Sequence, residues 1–296
     1  MGTGKGAAMK KFTLYLLVLL MALSVAGPVA MAEEEGLGEA ILMVRTPSQE
    51  EIQPLPDDVI KESEPFIPEG LDKAVVGKDD RTTITNTFSY PFSAISYLEC
   101  EGKCGCEWTG SGFMIGKDVM LTAAHCLVCT DHGQPVKYLT AYFGYKSPKN
   151  YGLKYAEGTR FWVGTMFKKS DGSYGYDYQG MEWDYAYVKL KKNVGDTTGW
   201  FGFRTHEDKD FQKTPCCVTG YRHGVLKMDY GWTYPTDSEY LMHFTIDTQP
   251  GNSGCPVYDY DYYALGINVA EDYYGEYNVG RRITSRLYWD VHNDTD

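Results

Sequence analysis

Along most of this chain, apolar and polar positions alternate in short runs. From Ala74 onward the runs Phe92 to Leu98, Gly112 to Ile115, Val119 to Ala123, Tyr185 to Leu190, Cys217 to Tyr221, Leu241 to Ile246 and Ala264 to Val269 are separated by Gly, Pro, Asn and Asp. Runs of this length predict strands, because successive side chains of a strand point to opposite faces. Turn signals such as Gly116-Lys117-Asp118 and Lys192-Asn193-Val194-Gly195-Asp196 lie between them. Few stretches repeat at 3.6 residues and no internal repeat is visible, so the pattern predicts an all-β fold, a sandwich or a pair of barrels.

The N-terminus reads differently. Lys5, Lys10 and Lys11 precede the apolar stretch Phe12 to Ala32, which ends in Ala30-Met31-Ala32, a small-x-small cleavage pattern. This predicts a secretory signal peptide over residues 1–32; the alternative, an uncleaved anchor, is disfavoured by Pro28 and the cleavage pattern. Residues 33–73 carry twelve acids against three bases, with Pro54, Pro56, Pro65 and Pro68 among them. Such a segment is expected to be extended and polar, either a pro-peptide or a solvated arm. The domain expected to fold is residues 74–296.

Composition sharpens this picture. The 296 residues are 43% apolar and 15% aromatic, which excludes wholesale disorder, and the 25 tyrosines and 32 glycines suit strands and turns. A net charge of −12, much of it in residues 33–73, argues against a nucleic-acid binder. No phosphate-binding glycine loop or basic aromatic stripe is present.

Three motifs carry chemistry, in the order His, Asp, Ser. In Leu121-Thr122-Ala123-Ala124-His125-Cys126 a histidine follows an apolar strand, where it can serve as a general base. In Trp183-Asp184-Tyr185-Ala186-Tyr187-Val188-Lys189-Leu190, alternation puts Asp184 on the apolar face. A carboxylate there needs a partner, and a histidine ring N–H would be one; the bland reading is a strand-start cap facing water. In Asp247-Thr248-Gln249-Pro250-Gly251-Asn252-Ser253-Gly254-Cys255-Pro256-Val257 a serine sits in a tight glycine turn. There the N–H groups of Gly251 and Ser253 can converge on an oxyanion; alone, the motif also fits a plain hairpin turn.

These motifs resemble those of the trypsin/chymotrypsin-fold serine proteases, and Ala74 to Ile95 resembles the mature N-terminus of secreted bacterial glutamyl endopeptidases, as do the segments around Ser253 and Ala264 to Thr284. The resemblance spans residues 74 to 290. It implies two six-stranded antiparallel β-barrels with the active site in the cleft between them, an exported zymogen cut near Lys73, and catalysis by His125, Asp184 and Ser253 with Gly251 and Ser253 as the oxyanion hole. Asn252 stands where trypsin-like zymogens place the aspartate that pairs with the new N-terminal ammonium, so that activation switch cannot operate here. Asn268 stands where glutamyl endopeptidases carry a histidine that recognises the substrate carboxylate. Thr248 matches a pocket hydroxyl of the family, and Arg282 lies in the matching Gly280-Arg281-Arg282-Ile283-Thr284 segment. The family implies a Glu/Asp preference, weakened by Asn268; the alternatives are a Lys/Arg preference through Asp247 or an inactive protease-like binding protein.

For an exported chain, eight cysteines read as disulfides, although Cys104-x-Cys106 and Cys126-x-x-Cys129 also match part of a zinc cage. The resemblance suggests Cys126 pairing with Cys104 or Cys106, and Cys255 near Cys216 and Cys217. No cofactor and no metal are therefore expected. The expected partners are protein or peptide substrates, with no nucleic acid, no membrane after leader removal, and a monomeric state.

Overall fold

The computed structural model describes residues 41–45, 81–150, 152–164, 178–271 and 277–295. The expected signal peptide, most of the acidic segment and the expected new terminus at Ala74 lie outside the described residues.

The first half comprises β1 (Ile41–Arg45), β2 (Thr82–Thr83), β3 (Ile95–Gly102), β4 (Glu107–Met114), β5 (Val119–Thr122), β6 (Val128–Cys129), β7 (Gln134–Phe143), β8 (Lys154–Gly164) and β9 (Ala186–Leu190). Strands β3, β4, β5, β9, β8 and β7 pair antiparallel in that order, and β7–β3 pairing closes the ring. The second half comprises β10 (Gly202–Phe203), β11 (Thr214–Arg222), β12 (Val225–Pro235), β13 (Leu241–Phe244), β14 (Pro256–Tyr258), β15 (Tyr263–Glu271) and β16 (Asn278–Arg282). Here β11, β12, β13, β16, β15 and β14 close a second six-stranded antiparallel ring. Closure removes the sheet edges that would otherwise expose unpaired backbone groups. The expected pair of barrels is thus the observed architecture.

Each barrel is filled by its inward-facing side chains. Leu98, Phe113, Leu121, Phe143, Phe161 and Val188 are fully buried in the first, and Phe211, Val218, Phe244 and Val257 pack together in the second. Burying each such side chain contributes about 1.5–3 kcal/mol. Aromatic rings fill the seam between the barrels. Tyr97 and Tyr145 of the first half pack on Tyr221 of β11, with ring centroids 5.7 and 6.3 Å away, and Phe201 lies 5.6 Å from Phe113 and 4.9 Å from Tyr258. Amphipathic rings suit this seam because the phenol can find an acceptor while the ring is buried, as when the Tyr221 hydroxyl donates to the Tyr145 carbonyl.

Three features depart from the sequence reading. Strands β7 and β12 were not expected, because their alternation breaks. In β7 the buried positions run Val136, Leu139, Ala141, Phe143, with a register shift opposite Glu101/Gly102 that resets the period. Within the acidic segment, Ile41–Arg45 forms a strand parallel to β8 rather than patternless chain, in a register only its partner supplies. The C-terminus is helical over α3 (Ser285–Thr295), after the single-turn helices α1 (Tyr178–Met181) and α2 (Gly195–Thr198). Thr284 caps α3, accepting from the Leu287 N–H. Buried Leu287 and Val291 face one side at helical spacing, and Tyr185 and Tyr187 of the first half bond to Asp290 and Asp294 of the helix.

Candidate active site

Adjacent strands bring base and acid together. In the antiparallel pair β5–β9, Thr122 lies opposite Ala186, so His125, three residues beyond Thr122, and Asp184, two residues before Ala186, emerge at the same end of one ladder. The chain after β5 turns at once into a short 3-10 helix, Ala124–Leu127, which aims the imidazole back at Asp184. The Asp184 carboxylate is fully buried. It accepts the His125 backbone N–H at 2.9 Å on one oxygen and faces ring Nδ1 at 2.7 Å with the other. With the proton on Nδ1, the Nε2 lone pair is left to take a proton. Burial alone would lower the His125 pKa, but the carboxylate outweighs it and holds the ring well above the ordinary histidine value. The cap reading of Asp184 is thereby overturned, because the group faces a histidine and not water.

Ser253 arrives from the second barrel on the loop before β14. Two of its glycines are required. Gly251 and Gly254 have φ of +102° and +83°, and a Cβ on Gly254 would lie 2.2 Å from Thr122 Oγ1 and 2.3 Å from the Ser111 carbonyl. The loop therefore packs directly on the end of the strand that carries His125. The Cys126 thiol, next to the base, lies 3.4 Å from the Ser253 carbonyl. Among the described residues the Gly251 and Ser253 N–H groups have no hydrogen-bond partner, whereas the neighbouring N–H groups of Asn252, Gly254 and Cys255 are all bonded. Two unoccupied donors beside a half-buried serine are what an oxyanion hole requires.

Sequence reasoning missed two residues here. Ser111 of β4 ties the barrels together: its N–H donates to the Ser253 carbonyl at 2.9 Å, its hydroxyl donates to the Gly251 carbonyl at 2.9 Å, and that hydroxyl accepts the Tyr221 N–H. Arg81, only 7% exposed, donates to Asn252 Oδ1 at 2.6 Å. The same oxygen accepts the Gln249 N–H, and Asn252 Nδ2 donates to the Tyr221 carbonyl. A buried guanidinium thus sits on the Asn252 side chain. No local signal links the two, because Arg81 and Asn252 lie 171 residues apart in the chain.

On the specificity side, the Asn268 backbone bonds the Ser253 loop twice, its carbonyl accepting the Gly254 N–H and its N–H donating to the Cys255 carbonyl. Asn268 Oδ1 is buried without a hydrogen-bond partner among the described residues. Asp247 and Thr248 are half-buried on the approach to this loop. Arg282 is committed elsewhere: it pairs with Asp208 at 2.7 Å and lies over the Phe211 ring. Arg281 is buried between Tyr185 and Tyr240. Neither guanidinium of that segment is available to a substrate carboxylate.

All eight cysteines are free thiols. The expected pairing of Cys126 with Cys104 or Cys106 is not formed. Cys126 sits beside Cys100, whose thiol donates to the Cys126 carbonyl, while Cys104 and Cys106 gather with Cys129 and His132.

Residues 110–267, from β4 to β15, match the family model described as a trypsin-like peptidase domain. The chain is 31% identical over 230 residues to an extracellular metalloprotease of Bacillus subtilis, covering 73% of this chain and 67% of that one. It is 27% identical over 238 residues to a glutamyl endopeptidase of Bacillus licheniformis, covering 75% and 69%. A solved Glu endopeptidase structure superposes with a TM-score of 0.64 at 24% identity, covering 75% of this chain and all of that one.

Proposed function

We propose, from the premise that this chain belongs to the trypsin-like peptidase family, that it is an exported serine endopeptidase working through His125, Asp184 and Ser253. The observation that carries this reading is the buried Asp184 carboxylate holding His125 by both backbone and ring at the point where the Ser253 loop packs.

A serine hydroxyl is a poor nucleophile until a base takes its proton. In the proposed reaction His125 Nε2 accepts the Ser253 proton as Oγ bonds to the scissile carbonyl carbon. The carbonyl oxygen becomes an oxyanion that accepts from Gly251 and Ser253 N–H. His125 then returns the proton to the leaving amine as the C–N bond breaks, leaving an acyl-enzyme that water hydrolyses by the same steps. Asp184 fixes the tautomer and stabilises the imidazolium. Export behind residues 1–32 and removal of residues 33–73 near Lys73 belong to this proposal.

For specificity we propose an acidic preference resting on hydrogen bonds from Thr248 and Asn268 and not on a cation. Asparagine carries no charge, and Arg281 and Arg282 are engaged elsewhere. Glu and Gln side chains should then be distinguished by less than about tenfold, roughly 1.4 kcal/mol. The test is a peptide-library cleavage profile of the processed enzyme beside a Ser253→Ala control. Cuts after Glu and Gln agree with the proposal. Cuts after Lys or Arg would move recognition to Asp247, and no Ser253-dependent cutting would overturn the peptidase reading.

A further inference from the structure

We propose that Cys104, Cys106, Cys129 and His132 form a structural Zn²⁺ site that clamps the segment following the catalytic histidine to the β3–β4 hairpin. The four donor atoms all lie within 4.8 Å of one another. The Cys106 and Cys129 sulfurs are 3.3 and 3.5 Å from His132 Nδ1. A tetrahedral zinc with ordinary Zn–S and Zn–N bonds separates sulfur from nitrogen by about 3.6 Å, close to both of these separations.

The donors come from two turns held together by the protein alone. Cys104-x-Cys106 occupies the β3–β4 turn, with Gly105 at φ +79°, and Cys129-x-x-His132 occupies the β6–β7 turn, with Gly133 at φ +61°. The Gly102 N–H donates to the Cys106 carbonyl and the Gly133 N–H to the Cys129 carbonyl, shaping each turn, while the Lys103 N–H donates to the Pro135 carbonyl and ties one turn to the other. Three sulfurs are an odd number. A disulfide between any two would leave the third thiol and the imidazole unsatisfied, whereas a soft divalent ion uses all four donors, releasing three thiol protons as it binds. Four protein ligands close the sphere, so the ion has no position for water or substrate and its role is to hold structure. Cys129 lies four residues after His125, across the short 3-10 helix. The clamp therefore fixes the loop that carries the base. The cage weighed from sequence took Cys126 in place of His132; the fold turns Cys126 to the Ser253 carbonyl instead.

The test is elemental analysis of the purified full chain, with Co²⁺ exchange as the optical probe. The expected result is one zinc per chain and, with Co²⁺, a thiolate-to-metal charge-transfer band with tetrahedral d–d bands. Losing a mere supporting partner of a metal ligand costs about 10–100-fold in affinity, so His132→Ala should weaken zinc by at least that factor. Cys104→Ser should also lose it, and His132→Cys should retain it with a stronger charge-transfer band. A metal-free chain with a mapped disulfide among the three cysteines would overturn the site, as would zinc content unchanged in His132→Ala and Cys104→Ser. Should the variants fail to fold, absence of the charge-transfer band from Co²⁺-exchanged wild type would overturn it equally. None of these readouts depends on peptidase activity.

Discussion

In the first barrel, His125 and Asp184 hang from the same end of two hydrogen-bonded strands, and a carboxylate with no exposure fixes the ring. Ser253 reaches the cleft on a loop of the second barrel, held largely through side chains: the Ser111 hydroxyl from across the seam, and the Asn252 amide, whose oxygen accepts from Arg81 and from the Gln249 N–H. A ladder places its ends through many backbone bonds at once, so β5 and β9 bring His125 and Asp184 together before the Asp184 carboxylate fixes the ring. A loop depends on a few buried polar contacts, each of which is costly to leave unmade. The acid–base half is therefore rigid by topology, while the nucleophile and oxyanion half depends on particular side chains, and a substitution can test each separately.

The largest effect is expected from Ser253→Ala, which removes the second barrel's reacting atom. The turnover number should fall by about 10⁶-fold, fluorophosphonate labelling should vanish, and circular dichroism should be unchanged. Labelling that persists at another serine would break the assignment. Asp184→Asn tests the first barrel and should cost about 10⁴-fold, because the ring loses its tautomer control. It also has a pH signature. The base works only when neutral, so wild-type kcat/KM should rise with pH through a His125 value held above the ordinary one by Asp184, and that limb should move to lower pH in the variant. An unmoved limb would mean the carboxylate does not govern the base.

Arg81→Met asks whether the loop depends on its buried cation. A hydrogen bond to a charged group contributes about 1.5–3 kcal/mol, so kcat should fall roughly ten- to a hundredfold while KM changes little. Lower thermal stability with kcat intact would make Arg81 a scaffold contact only. The smallest effect is expected from Asn268→His, which returns a titratable cation to the pocket. Glu over Gln discrimination should rise about tenfold below pH ~6.5 and fade above it. No change would place recognition away from residue 268.

Much of the fold was legible in the chain because the period of a strand is short and local. The alternating runs marked β3, β5, β9 and β15, and the three motifs named His125, Asp184 and Ser253 because their chemistry leaves residue types that composition alone does not require. Strands with interrupted alternation, β7 and β12, were hidden; in β7 the period is reset by a register shift that the partner strand decides. The C-terminal helix was hidden because Leu287 and Val291 give only one buried aliphatic pair at helical spacing.

By itself, the sequence determined which residues have the chemistry for base, orienting acid, nucleophile and oxyanion donors, and that short strands would carry them. Only the tertiary structure decided what each of them meets, because such contacts join residues far apart in the chain: Arg81 on Asn252, Ser111 between the barrels, Arg282 drawn to Asp208, and His132 beside three cysteines that spacing had divided differently. Spacing along a chain constrains only neighbours. Closing two barrels and docking them face to face fixes the rest.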